Sequence, residues 1–453
     1  MIWTNDTTRL MLVAGSSVAY ALVCLAPYLR TRRKRLAAEH AKAEAAASPG
    51  WIVSYASQTG NAEELAQQTA ATLKVAGIPA RLAELSELGA EDLQGAERIL
   101  FLVSTYGEGD APDAAAAFAG RLMTTALPLS HLHYAVLALG DSSYAQYCGF
   151  GRALDQWLQA QGAQSLFPRV EVDRSSEQAV ATWRQHLSHL AGTSDAPDWS
   201  APAFDAWRLS ERVHLNAGSA GAPVYHLELE PVSGVLPDWQ SGDLVQIAAP
   251  ADPAQPREYS IASIPADGRV HLLVRLHSHA DGSHGVASGW LTQQLEAGSV
   301  VQLRCRQHRR FRLEGNVDRP LILIGNGSGI AGLRGHLKAR ALAGQGRNWL
   351  LFGERNSAHD FHYRAELDAL RQSGQLLLDL AWSRDGGAER YVQDLLPARA
   401  EQLRAWVADG AAIYVCGSLQ GMAAGVDAAL ENILGRAQLD HLIATKRYQR
   451  DVY

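Results

Sequence analysis

The sequence predicts a multidomain chain: an N-terminal transmembrane helix, an α/β domain on a doubly wound parallel sheet, a small antiparallel β-barrel, and a second α/β domain. Three observations lead there. Residues 10–29 form an uncharged, mostly apolar run as long as a bilayer-spanning helix. Apolar runs of strand length alternate with helix-like segments in 51–190 and again in 316–453, the pattern of parallel strands buried on both faces. Between them, 206–315 carries shorter alternating runs such as "VYHLELEPV" and "RVHLLVRLH", which read as antiparallel strands closing into a barrel. At 453 residues and 47% hydrophobic content the chain is too long for one core, so several are required.

The elements follow in order. "LMLVAGSSVAYALVCLAPYL" is followed by "RTRRKR" at 30–35, and a Lys/Arg cluster after the span favours a cytoplasmic C-terminal side. A secretory signal would carry its charge before the apolar run. The expectation is a single-pass membrane protein whose remaining domains are cytoplasmic. The basic, alanine-rich stretch 30–50 reads as a stalk broken by Pro49 and Gly50, and the Ser/Pro/Asp-rich stretch 191–205 as an interdomain hinge. A net charge of −6 argues against a nucleic-acid partner. Cys24, Cys148, Cys305 and Cys416 are scattered without a CxxC, which argues against zinc, iron–sulfur clusters and a disulfide framework.

Three loops in 51–190 carry chemistry. "SYASQTGNAEELA" sets Ser57, Gln58, Thr59, Gly60 and Asn61 between a strand and an amphipathic helix, where hydroxyls, free N–H groups and the helix dipole favour a phosphate. No lysine follows the glycine, so a monophosphate is expected rather than a triphosphate. "STYGEGDAPDAA" at the next strand end supplies Ser104, Thr105, Tyr106, Gly107 and Gly109, and "LGDSSYAQYCG" supplies Leu139, Gly140, Asp141, Tyr144, Tyr147 and Cys148. Tyrosines on two loops beside a phosphate site suit a flat ring system stacked between them.

In this order and spacing the three loops resemble the FMN domain of the flavodoxin-like diflavin reductases. The resemblance implies a flavodoxin-like fold, FMN as cofactor, its phosphate at Ser57–Asn61, and ring stacking at Tyr106 and Tyr144. "REYSIAS" and "GVASGWL" resemble the FAD module of the ferredoxin-NADP reductase superfamily. That likeness implies Arg257, Tyr259 and Ser260 at the flavin and Gly285, Val286, Ala287 and Ser288 at its pyrophosphate. "ILIGNGSGIAGLR" is a strand, Gly-rich turn and helix, with Gly327, Ser328 and Gly329 at the turn. With "AWSRDGGAERYVQD", "IYVCGSLQGM" and "RYQRDVY" it is similar to the sulfite reductase flavoprotein branch. This implies a 2′-phosphate site at Ser383, Arg384, Tyr391 and Gln393, hence NADPH. It also implies catalytic roles for Ser260, Cys416 and Asp451, with the terminal Tyr453 covering the flavin ring.

Three departures stand out. Glu389 replaces the lysine that the family places two residues before Tyr391; Asn326 and Gly332 replace prolines of the glycine loop; and only a few residues separate "SGDLVQIAAP" from "REYSIAS", where diflavin reductases insert a helical connecting domain. The function implied is a relay from NADPH to FAD to FMN and on to a one-electron acceptor, with a membrane-bound heme protein ranked first. Sulfite reduction ranks second, with ferric chelate reduction and a partnerless NADPH oxidase or diaphorase behind it. A non-catalytic interaction protein with decayed flavin sites is the rival from another class, and the intact Ser260, Cys416, Asp451 and Tyr453 speak against it. Glu108, Asp110, Asp113 and Asp141 read either as a solvated acidic face or as a docking rim for the acceptor.

Overall fold

Where side chains point into a core on both sides of a strand, every position is apolar, and β3 (Arg98–Ser104) and β4 (His133–Gly140) are buried along all but their ends. A computed structural model of the protein describes residues 50–174, 176–192, 203–279, 281–387 and 389–453. β3 and β4 lie inside a parallel sheet with β1 (Trp51–Ala56), β2 (Ala80–Glu84), β5 (Gln164–Ser165) and β6 (Val170–Asp173), ordered β2-β1-β3-β4-β5 with β6 also paired to β4. Phe118, Leu154 and Leu158 fill one face and Leu73, Trp183 and Leu187 the other. The loops after β1, β3 and β4 therefore gather at one sheet end, where parallel α/β sheets bind ligands.

The second sheet corrects the barrel. β7 (Asp205–His214), β8 (Val224–Pro231), β9 (Leu244–Ala249), β10 (Asp252–Ser260), β11 (Val270–Arg275) and β12 (Val300–Arg306) pair in the order β10-β9-β12-β7-β8-β11. β10 and β11 end the order without bonding to each other, so the sheet is open. The physical reason is visible in β10, where Pro253 and Pro256 lack the N–H a closing ladder needs and the register with β9 shifts between Asp252 and Arg257.

The third sheet is parallel: β13 (Leu321–Asn326), β14 (Asn348–Glu354), β15 (Leu376–Trp382), β16 (Ala412–Gly417) and β17 (Tyr448–Val452), ordered β15-β14-β13-β16-β17. The C-terminus is thus an edge strand paired with β16, Cys416 opposite Asp451.

The membrane expectation is also corrected. No helix among the described residues is long and apolar enough to cross a membrane. The longest, Asn61–Val75 and Glu177–Ala191, have 15 residues each and one polar face, short of the roughly 20 apolar residues a span needs. The expected span at 10–29 lies outside the described residues, as do the stalk apart from Gly50 and most of the hinge. Among the described residues the fold is three sheet-centred modules, none of which holds a helix that could span a membrane.

Candidate functional site: three loops, a buried carboxylate and a module interface

The loop after β1 is tied from within. Ser57 Oγ accepts hydrogen bonds from the backbone N–H of Gly60 at 2.8 Å and of Ala62 at 3.2 Å, at the start of the helix Asn61–Val75. Gly60 turns the chain at φ 93°, a conformation that favours glycine. Gln58 Oε1 and Thr105 Oγ1 are buried without a protein partner, as is the Tyr106 hydroxyl. Orphaned buried polar atoms at a sheet's ligand-binding end fit a polar cofactor that would complete their bonds.

The second loop is pinched shut by two 2.9 Å backbone bonds between Tyr106 and Asp110, enclosing Gly107 and Gly109. Ser104 ends β3, and Thr105 N–H donates to Leu139 O at 2.9 Å, fixing this loop to the third. In the third loop Gly140 leads to Asp141, whose carboxylate accepts from Ser143 and Arg174; against the opposing effect of burial, these bonds hold it below its ordinary value. Tyr144 is 37% exposed, whereas Tyr147 packs on the core beneath the Arg152 guanidinium, 5.5 Å from its ring. Cys148 is buried, donates to Ala138 O at 3.3 Å, and has its thiol pushed up to about 11 by burial, so it is neutral. Of the two tyrosines in this loop, Tyr144 presents the freer ring.

Around β10 and β17 the structure brings together the predicted catalytic residues. Ser260 Oγ donates to Asp451 Oδ2 at 2.9 Å, and Cys416 Sγ lies 3.7 Å from the same oxygen. All three are buried, and burial raises the Cys416 thiol well above its ordinary value, with the Asp451 charge adding to the effect. Tyr453 is 56% exposed; its N–H donates to Gly417 O at 3.0 Å and its hydroxyl to Ser328 Oγ at 3.2 Å. The terminal ring therefore stands beside the glycine loop, held from both sides. Tyr259 is half-buried next to Ser260, with its hydroxyl pKa raised by burial, and Arg257 turns back onto Asp252 and Gln255 O. Gly285 precedes a short helical turn, Val286–Gly289, in which Ala287 and Ser288 are buried and Ser288 Oγ accepts from His277 N–H at 3.1 Å.

In the glycine loop a β-carbon on Gly329 would lie 2.1 Å from Cys416 O, so only glycine lets the turn sit against β16. The lost prolines are partly offset: Asn326 Oδ1 accepts from Ser418 N–H at 2.9 Å, a tie between β13 and β16 in place of ring stiffness. Gly332 faces Phe311, Cys416 and Ser260. Ser383 and Arg384 are held by backbone bonds to Glu354 and Arg355, Tyr391 is 51% exposed, and Gln393 packs on Gly425. Arg384, Glu389 and Arg390 are all exposed, so two cations and one anion share that rim.

Sequence reasoning missed two groups. Arg275 on β11 pairs with Glu354, near Gly327, and His362 lies 3.8 Å from the same carboxylate; against the opposing effect of burial, these two neighbours hold Glu354 at about 2. The other group is the basic run "RCRQHRRFR" at 304–312, which lies against the first module. Arg310 Nη1 donates to Ser57 O at 2.8 Å, His308 Nε2 is 3.2 Å from Gln58 O, and Arg309 is 3.5 Å from Glu63. The density of arginines was the available signal. Asp113, placed by sequence in an acidic face or rim, is instead half-buried in a pair with Arg450.

The comparisons with known proteins agree with this architecture. A family model for flavodoxin matches residues 53–183, and one for the oxidoreductase NAD-binding domain matches residues 323–428. The sulfite reductase (NADPH) flavoprotein alpha-component of Neisseria meningitidis serogroup A is 30% identical over 534 aligned residues, covering 88% of each chain. That of Vibrio cholerae is 30% identical over 543, covering 90% of this chain and 88% of its own. The chain belongs to the diflavin reductase family, and as a member it is a flavoprotein oxidoreductase using FMN, FAD and NADPH. Because 534 aligned positions exceed the 453 residues of this chain, the relatives carry residues that it lacks.

Proposed function

We propose that this NADPH-dependent diflavin oxidoreductase delivers electrons singly from FMN to a heme-containing protein. FMN is assigned to Ser57–Asn61 with Tyr106 and Tyr144 at its ring, FAD to Arg257, Tyr259, Ser260 and Gly285–Ser288, and NADPH to Gly327–Gly329 with Ser383, Arg384, Tyr391 and Gln393. The modules run 51–190, 206–315 and 316–453, with 191–205 as hinge. When bound, FAD takes two electrons from NADPH and FMN passes them on one at a time, chemistry no side chain supplies.

The chain's own residues position and protect that chemistry. Asp451 and Ser260 form a buried carboxylate–hydroxyl pair able to hold a proton beside the flavin ring. Neutral Cys416 leaves a small, uncharged wall, and Tyr453 would cover the flavin face that nicotinamide must reach.

The observation that carries the relay is Leu419. Its N–H donates to Tyr453 O at 2.9 Å, and its side chain lies 3.8 Å from where a β-carbon on Gly107 would sit, so the terminal residue and the FMN loop share one neighbour. Two flavins on either side of it would be close without a connecting domain.

Relatives named as alpha-components of sulfite reductase favour, among heme acceptors, a companion component of such an enzyme. The test is anaerobic reduction of a heme protein by NADPH with the full chain, before and after FMN is stripped. Loss of heme reduction on FMN removal, while FAD is still reduced, is the predicted result. Equal rates with and without FMN would contradict it.

A further inference from the structure

We propose that Arg306, at the end of β12 in the second module, is a ligand of the FMN phosphate held by the first module. The inference rests on the assignment of FMN to Ser57–Asn61.

The phosphate loop has a charge problem. Residues 51–62 contain no lysine or arginine, and the helix that begins there carries Glu63 and Glu64 in its first turn. A helix N-terminus and one serine hydroxyl are weak compensation for a dianion when two carboxylates follow directly. A cation from elsewhere in the chain would resolve this.

The structure places one there. Arg306 is nine-tenths buried, with 9% of its side chain exposed, and its Nη1 pairs with Glu258. Its Nη2 is buried without any protein partner and lies 3.4 Å from the position a β-carbon would take on Gly60, the residue that turns the phosphate loop. An unpartnered buried guanidinium N–H is costly, and a phosphate oxygen would complete its bonds with charge on both sides. Glu258 orients the guanidinium from one side, leaving the other for the ligand.

The surroundings hold the arginine to the loop. Arg310 Nη1 donates to Ser57 O at 2.8 Å and His308 Nε2 lies 3.2 Å from Gln58 O, so residues 306–310 follow the loop through successive contacts. His308 Nδ1 is also buried without a partner. A β-carbon at position 60 would touch Arg306 Nη2 at ordinary contact distance and be strained at φ 93°, so glycine suits this approach. FMN would then bind across a module boundary, its phosphate serving as part of the contact that closes the two modules.

The experiment measures FMN and riboflavin dissociation constants by fluorescence on the full chain depleted of FMN, for wild type, Arg306→Gln and Arg306→Lys. Riboflavin lacks the phosphate and isolates its contribution. FAD content reports that the second module is folded. The expected result is an FMN affinity about ten-fold lower in Arg306→Gln, as for a lost charge-assisted hydrogen bond. Riboflavin affinity should be unchanged, and Arg306→Lys should recover part of the loss. An unchanged FMN-to-riboflavin ratio in Arg306→Gln would overturn the proposal, whether both affinities fall together or neither moves. If Arg306→Gln loses FAD, the Lys variant and the salt dependence of the wild-type ratio decide: a ratio insensitive to salt and to Lys substitution also overturns it. A wild-type chain with no preference for FMN over riboflavin would instead remove the phosphate-site assignment itself.

Discussion

Arg450 and Asp113, 337 residues apart in sequence, form a two-pronged ion pair across the boundary between the first and third modules, with Arg450 Nε 2.9 Å from Asp113 Oδ2. Arg450 also pairs with Asp427 and lies 5.9 Å from the centre of the Tyr106 ring. It directly precedes Asp451 in β17, so a single strand carries both the module contact and the buried carboxylate.

Breaking this pair should separate the modules without disturbing either core. Its two side chains are only 15% and 19% exposed, and removing one partner of a buried pair costs on the order of 3–5 kcal/mol. Asp113→Asn is expected to slow electron passage from FAD to FMN at least ten-fold while FAD reduction by NADPH stays within two-fold, both read by stopped-flow absorbance. Equal slowing of both steps would contradict this. Because the Arg450 bonds hold Asp113 below its ordinary value against the opposing effect of burial, the pair's contribution is present at neutral pH and is lost only in strong acid.

Asp451→Asn removes a charge from a site shared with Ser260 and Cys416. Positioned proton-transfer groups contribute roughly 10²–10⁴-fold. The variant is expected to reduce FAD by NADPH about 100-fold more slowly with FAD content unchanged, and Ser260→Ala less severely. A rate within three-fold of wild type would show that the buried carboxylate has no part in the step.

Glu389 stands among Arg384, Arg390 and Tyr391 on an exposed rim. Replacing it with lysine should lower the KM for NADPH several-fold and leave that for NADH unchanged, because the 2′-phosphate is the group repelled. The effect should shrink at high salt. A parallel change for both nucleotides would place the 2′-phosphate elsewhere.

Acid stability should be set by buried histidines. Burial, with the neighbouring His226, lowers His271 to about 4, although Glu228 and Asp267 oppose the shift and Arg334 adds to it. Burial lowers His336 to about 3, with Arg340 and His308 contributing and a bond at Phe311 opposing, and burial with the Arg334 charge lowers His226 although Glu228 opposes the shift. The unfolded chain binds a proton at each near 6.5 that the folded protein refuses, so stability is greatest above that pH and falls as pH drops towards 4. Thermal melts of the full chain should show Tm falling between pH 6.5 and 5. His336→Phe should flatten that slope, and a slope as steep as wild type would contradict the assignment.

Much of this was legible in the sequence because the chemistry sits at strand ends. Ser57, Tyr106 and Tyr144 are marked by apolar runs that end in glycine-bearing loops, and the family resemblance groups Ser260, Cys416 and Asp451, which meet at 2.9 and 3.7 Å. The closure of the second sheet was not legible: period-two alternation is the same in a barrel and an open sheet, and only pairing partners tell them apart. The pairing of Arg450 with Asp113 and the approach of Arg306 to Gly60 depend on how modules dock, which no local pattern encodes. An arginine-rich run read alone looks like a solvated surface.

The measurement closest to the central claim is an anaerobic titration of the full chain with NADPH after its flavins have been released and counted in a parallel sample. The account predicts one FMN and one FAD per chain, both reduced by NADPH. A single flavin per chain, or flavins that NADPH leaves oxidised, would contradict it.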